Sequence, residues 1–165
     1  RTRNENLRAT LAKLLALGVI PIINENDTVS TVELDRPAGR DARTHVFGDN
    51  DKLSALVMTH AGADLLVLLS DVDGLYTADP QSSGATLIEE LNGVTDAVRA
   101  FAQGGNGRGR GGMESKLEAA RIANEAGQPA IIANGRTPGI LDMICAGKNV
   151  GSLFSPEKGS PEKRA

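Results

Sequence analysis

The sequence predicts an α/β protein whose mainly parallel sheet is covered by helices on both faces. Three observations carry that expectation. Short apolar runs, "VIPII" (19–23), "LLVLL" (65–69) and "AIIA" (130–133), lack polar alternation, the mark of strands buried on two sides. Segments with helical spacing separate them. Glycines stand where those helices should stop. Alternation of this kind implies parallel strands joined by crossover helices.

Taken in order, Leu7, Leu11, Leu14 and Leu15 recur at helical spacing, and Gly18 ends that helix. "VIPII" follows as a buried strand and runs into "NENDT". The polar stretch "STVELDRPAGRDARTHVF", with Pro37 and Gly39 at its centre, reads as two extended arms around an exposed turn. Asp49 or Asn50 then caps a helix that runs to about Thr59 and closes at Gly62. "LLVLL" is a second buried strand. Leu87 and Ile88 suit a short extended piece, and a helix is expected over 95–103. Residues 104–112, "GGNGRGRGG", read as a glycine-rich loop. "MESKLEAARIANEAG" is a strong helix with Gly127 as its stop. "PAIIAN" is a third buried strand, 139–146 a short helix and "GSLF" a last strand. The polar ending 155–165 is expected to be a disordered tail.

Composition narrows the function classes. A chain of 165 residues suits one domain with a sizeable core. Its net charge of −3 and its four aromatic residues argue against a general nucleic-acid binder, which needs basic surface and stacking platforms. No apolar run reaches the ~18 residues of a membrane span, and no signal-peptide cleavage pattern is expected. The single cysteine, Cys145, rules out an internal disulfide, fits a cytoplasmic setting and, in its apolar stretch, reads as core packing.

Polar groups collect just beyond the apolar runs, where ligands of open α/β sheets bind. "NEND" (24–27) can hold a small polar ligand or simply form an Asx turn. "GDND" (48–51) places three polar residues where a helix cap needs one; Asp51 can hold a lysine or a bound magnesium. "SDVDGLYTADP" (70–80) puts three carboxylates in one loop without calcium-loop spacing, and can wrap an adenine or ribose or form a plain turn. In "RGRGGMESK" (108–116) the glycines let backbone N–H groups approach a phosphate, and Lys116, one turn into the helix, can return over it. The dinucleotide fingerprint is spelled by Gly107, Gly109 and Gly112, but no strong strand leads into it and no acidic residue follows at ~20 positions to hold a ribose. The P-loop pattern fails too, and a flexible loop is the plain alternative.

Together, "IPIINENDTVS", "FGDNDKLSALV", "LLVLLSDVDGLYTADP", "GGMESKLEAARIANEAG" and "IIANGR…VGSLF" resemble, in this order and over nearly the whole chain, the glutamate 5-kinases of the amino acid kinase family. The resemblance implies a three-layer α/β/α sandwich and transfer of the ATP γ-phosphoryl group to the side-chain carboxylate of L-glutamate, giving L-glutamyl 5-phosphate for proline synthesis. By resemblance, Asp27 and Asn50 would contact glutamate. Ser70, Asp71, Arg110, Gly111, Gly112, Met113, Glu114, Ser115 and Lys116 would contact the nucleotide. Asp51 would organise the catalytic lysines and Lys116 would be one of them. ATP, with Mg2+ bound mainly through it, is the implied cofactor, and a homo-oligomer or a missing N-terminal segment is the implied partner. No resident metal site, nucleic acid or membrane is expected.

The chemistry suits this set. A glutamate side chain has a pKa of about 4.3 and is already ionised at neutral pH. No general base is needed, so His45 and His60 need no catalytic role. The obstacle is bringing an anion to a polyanionic phosphate, which positioning and positive charge overcome.

Three features depart from the family pattern. The family's opening strand with its Lys-x-Gly segment has no counterpart, so 1–154 reads as the C-terminal portion of the kinase domain, expected to expose sheet edges and to turn over little by itself. Residues 35–43 read as an insertion, a surface loop or an oligomer contact. Arg110 stands where many relatives carry a small hydroxyl residue. The alternatives are a sister kinase acting on another acid or phosphate, or a non-catalytic nucleotide or amino-acid binding module.

Overall fold

The computed structural model describes residues 3–24, 50–103 and 110–157. Among the described residues five helices and four strands follow in the order α1 (Arg3–Ala16), α2 (Asn50–Ala61), β1 (Leu66–Ser70), β2 (Glu90–Asn92), α3 (Asp96–Gln103), α4 (Arg110–Glu125), β3 (Ala130–Asn134), α5 (Ile140–Cys145) and β4 (Ser152–Ser155). The strand order is β1-β3-β4-β2. β1 pairs parallel with β3, β2 pairs parallel with β4, and β3 and β4 are antiparallel. The expected parallel character holds for the two outer pairs. The antiparallel joint between them is set by α5, which turns the chain back along β3 in a way no local pattern announces.

The sheet has cover on both faces, as expected. On one face Leu66, Leu68, Ile132 and Phe154 pack against Ala55 and Met58 of α2, Val98 of α3, and Leu117, Ala120 and Ala123 of α4. On the other, Val67, Ile131 and Ala133 meet Ile140 and Ile144 of α5. Small residues on α4 let it lie close to the strands. Phe154, Leu117 and Ile132 are fully buried and stabilise the fold by about 2 kcal/mol each. Inside the same layer Asn124 Nδ2 donates to the carbonyls of Gln128 and Phe154, both at 3.0 Å, which ties the end of α4 to β4.

Glycines end the helices where expected: Gly18, Gly62 and Gly127 carry φ of 71°, 67° and 81°, the left-handed geometry of a helix stop. Several expectations need correction. "VIPII" is no strand; Val19–Ile23 has no regular structure, and Ile20 and Ile22 are 86% and 97% exposed. An apolar run becomes a buried strand only beside a partner, and no described strand lies next to this one. β1 is not buried throughout either: it is an edge strand, and Leu65 and Leu69 are 36% and 46% exposed. The extended piece expected at Leu87 and Ile88 is a single bridge from Leu87 to Tyr76, with β2 starting at Glu90. α4 begins at Arg110, so the end of the glycine-rich stretch is the first helical turn and not loop. Cys145 is exposed, because it follows buried Ile144 and points away from the sheet at the last position of α5. The two arms of 30–47, with the insertion of 35–43, lie outside the described residues, as does 158–165 of the expected tail; Ser155, the expected start of that tail, is the last residue of β4.

An ion-pair cluster joins α3 to α4. Glu118 accepts from Arg99 Nη2 at 2.9 Å, Arg121 Nη2 at 2.7 Å and Arg121 Nε at 3.1 Å, and Arg121 also pairs with Glu125. Hydrogen bonding from Arg121 first, then from Arg99, outweighs burial and holds the Glu118 carboxyl at a pKa of about 2, against 4.5 ordinarily. A depressed carboxyl pKa contributes stability above the unfolded value, and loses it as pH falls through the folded one. Acid unfolding is therefore expected to take about 1 kcal/mol from this cluster between pH 5 and 2, a figure reduced for solvent screening of a group one-third exposed. Urea titrations of wild type and Glu118→Gln across that range check it: the variant's stability should fall less steeply with acid.

Candidate functional site

Both helix-to-strand turns run the same way. α2 leads through Gly62 into β1, and α4 leads through Gly127 into β3, and these two strands are parallel neighbours. A helix that doubles back onto the strand it feeds has its N-terminus at that strand's carboxyl end. The first turns of α2 and α4 thus reach the same sheet edge as Ser70 and Asn134, which are register partners.

Lys116 and Asp51 meet there. Lys116 Nζ donates to Asp51 Oδ2 at 2.9 Å, and the two side chains are only 14% and 18% exposed. Partial burial strengthens the pair, because solvent screens it less. Asp51 lies in the first turn of α2, where a carboxylate also interacts favourably with the helix dipole. Lys116 stands six residues into α4, nearly two turns rather than one, so its long side chain reaches back toward the N-terminal face. Gly112 is exposed in the first turn, and a Cβ built there would meet nothing within 4 Å, which leaves the backbone open to an approaching anion. Met113 and Ser115 are half-buried and Glu114 is exposed. Arg110 and Gly111 contribute backbone to the helix start; their side-chain surroundings lie outside the described part.

At the end of β1, Ser70 Oγ and Asp71 Oδ1 are 3.4 Å apart, a weak contact; Ser70 is half-buried and Asp71 exposed. The next carboxylate is held firmly. Asp73 Oδ1 accepts from Asn134 Nδ2 at 2.8 Å and Asp73 Oδ2 from the Tyr76 hydroxyl at 3.0 Å. Burial, and then the Asp73 carboxylate, push the Tyr76 phenol above its ordinary value. Asp79 closes a turn by accepting from the Gln81 N–H at 2.9 Å. The three carboxylates of this loop therefore have three separate tasks. Gly135 N donates to the Ser70 carbonyl at 2.8 Å, and a Cβ on Gly135 would lie 3.2 Å from that of Leu69, so a side chain there would press the strand ends apart by a few tenths of an ångström.

Residues 1–134 match the profile of the amino acid kinase family. The chain belongs to the amino acid kinase family. Among curated relatives it is 46% identical over 166 residues to the glutamate 5-kinase of Sodalis glossinidius (strain morsitans), an alignment that covers 99% of this chain and 42% of that protein. It is 47% identical over 161 residues to the glutamate 5-kinase of Pseudomonas entomophila (strain L48), covering 96% and 40%. The chain thus spans about two-fifths of the length of these relatives. Among solved structures it is similar to a UMP kinase from Bacillus anthracis, with a TM-score of 0.63 and 24% identity over 90% of this chain and 51% of that one. It is also similar to a carbamate kinase from Giardia lamblia bound to AMP-PNP, with a TM-score of 0.58 and 19% identity over 91% and 49%. At these identities the likeness speaks for the fold.

Set on the amino acid kinase fold, the motif residues divide clearly. Asn50, Asp51, Ser70, Asp71 and the stretch 110–116 sit at the ends of elements that reach one edge. Asp27 lies outside the described residues. The His60 backbone carbonyl accepts from Arg8 Nε at 3.0 Å. Reading the sequence overlooked Ser152, a fully buried hydroxyl that accepts from the Leu75 N–H at 2.8 Å and donates to the Ile88 carbonyl at 2.6 Å. A small polar residue opening an otherwise apolar strand was the available signal. Among the described residues no helix is long and apolar enough to cross a membrane.

Proposed function

We propose that this chain carries the nucleotide- and glutamate-binding residues of a glutamate 5-kinase. The observation that carries the reading is the Lys116–Asp51 pair at 2.9 Å, which joins the starts of two helices at one strand edge; the 46–47% identity to relatives named glutamate 5-kinases supports it. In this reading Lys116 and the N–H groups of 110–113 receive the phosphates, Ser70 and Asp71 the nucleoside, and Asn50 and Asp27 the glutamate.

The reaction joins a glutamate carboxylate oxygen to the γ-phosphorus while the bond from that phosphorus to the β,γ-bridging oxygen breaks. ADP leaves with the electron pair. Both partners are anions, so Lys116 lowers the barrier by placing positive charge where negative charge gathers. Asp51 does not accept a proton from the substrate. It fixes the ammonium by a charge-assisted hydrogen bond and keeps it from folding onto solvent. Among the described residues no three His, Cys, Asp or Glu side chains group closely enough to hold a metal ion by themselves. The magnesium expected with ATP is proposed to come bound mainly through the nucleotide, where it would supply charge neutralisation. Residues 1–154 are proposed as the C-terminal portion of the kinase domain.

Calorimetry with Mg-ATP and with L-glutamate, alongside glutamyl hydroxamate formation, tests this. Saturable binding of Mg-ATP and of glutamate is the expected result. Binding of ATP without glutamate reduces the chain to a nucleotide lobe, and tight glutamate or proline binding without turnover points to a sensor. A chain that binds neither ligand sinks the reading.

A further inference from the structure

We propose that Asn134 and Ser152 are positioning residues that clamp the loop after β1, and that they set nucleotide affinity through it; the second half rests on the nucleotide reading above. The loop is held from two strands. From β3, Asn134 Nδ2 donates to Asp73 Oδ1 at 2.8 Å while its own Oδ1 accepts from the Arg136 N–H at 3.0 Å. From β4, buried Ser152 bridges the Leu75 N–H and the Ile88 carbonyl. The loop backbone lies directly against that hydroxyl: a Cβ on Gly74 would fall 2.4 Å from Ser152 Oγ.

The clamp divides the loop. With both oxygens engaged by Asn134 and Tyr76, Asp73 is a fixed post. Leu75, 2% exposed, is pinned next to it. Two residues upstream, Asp71 keeps only the 3.4 Å contact with Ser70 among the described residues. Fixing 73–75 to two strands leaves 70–71 presented at the open edge with little freedom to lose. A loop ordered in advance binds more tightly, because the entropy of ordering it is not charged to the ligand.

The experiment uses the 165-residue chain with Asn134→Ala, Asn134→Asp and Ser152→Ala. Mg-ATP affinity is read by calorimetry and loop order by hydrogen exchange of the 70–77 amides. Both Asn134 variants should raise the Kd about five- to thirtyfold and speed exchange in 70–77, with α4 amides unchanged. Asn134→Asp is the discriminating change. It keeps an acceptor for the Arg136 N–H but sets a carboxylate against Asp73, so its loss should at least equal that of alanine. A wild-type-like Asn134→Asp would confine Asn134 to its own turn and overturn the proposal. Ser152→Ala leaves two core backbone groups without partners and should speed exchange at Leu75 most; unchanged exchange there removes Ser152 from the clamp. A wild-type chain that binds no ATP overturns the nucleotide reading and the purpose given to the clamp, while unchanged exchange in all three variants overturns the clamp itself.

Discussion

Lys116→Met is expected to weaken Mg-ATP binding by about ten- to a hundredfold, with Asp51→Asn losing less. A hydrogen bond to a charged group is worth about 1.5–3 kcal/mol, and 1.4 kcal/mol is a factor of ten in affinity. Lys116 is the ammonium that the fold already holds at the site, so methionine removes the charge while keeping much of the stem that packs along α4. Asp51→Asn leaves Lys116 a neutral oxygen acceptor in the same place; the ammonium stays but is held less firmly. The methionine variant also takes from Asp51 a partner in a setting where its side chain is 18% exposed, so stability should fall by about 1–2 kcal/mol. Calorimetry and urea unfolding together check both parts. If Lys116→Met binds Mg-ATP as wild type does, Lys116 is no phosphate ligand and the pair with Asp51 is structural.

Gly151→Ala should be strongly destabilising for so small a change, with a loss of about 3 kcal/mol and a fall in Tm of about 10 °C. Two penalties combine. Gly151 has φ of 76°, a conformation that costs an L-residue about 1 kcal/mol. A Cβ there would also stand 2.3 Å from the Ile132 carbonyl oxygen and 3.0 Å from Ala133 Cβ. These neighbours belong to β3 in the middle of the sheet, with Ile132 paired to Ser152, so they cannot withdraw without breaking the antiparallel joint. Gly127→Ala separates the two terms. Its φ is 81° but an added Cβ meets nothing within 4 Å, so only the backbone penalty of about 1 kcal/mol applies. Equal melting temperatures for the two variants would show that close packing at β3 contributes nothing.

Much of this was legible in the residues. Helical spacing of leucines and alanines, with glycine after each run, located α1, α2 and α4 to within a few positions, because helix formation depends on neighbours three and four apart. The strands "LLVLL", "AIIA" and "SLF" were visible as apolar runs, as was the gathering of polar residues at their ends. The same rule misplaced "VIPII", which has the composition of a strand and the exposure of a surface segment. Composition records what a run could pair with, and only a neighbouring strand makes it pair.

By itself, then, the sequence determined which segments become helices and strands, where they stop, and which polar side chains stand at their ends. Tertiary structure alone decided that β3 and β4 run in opposite directions, that Lys116 finds Asp51 across 65 residues, that Asn134 finds Asp73 across 61, and that Ser152 finds Leu75 across 77. The reason is one of range. Backbone preference and hydrophobic period act within a turn or a strand, while these contacts exist only once four strands have taken their order and brought distant ends to one edge.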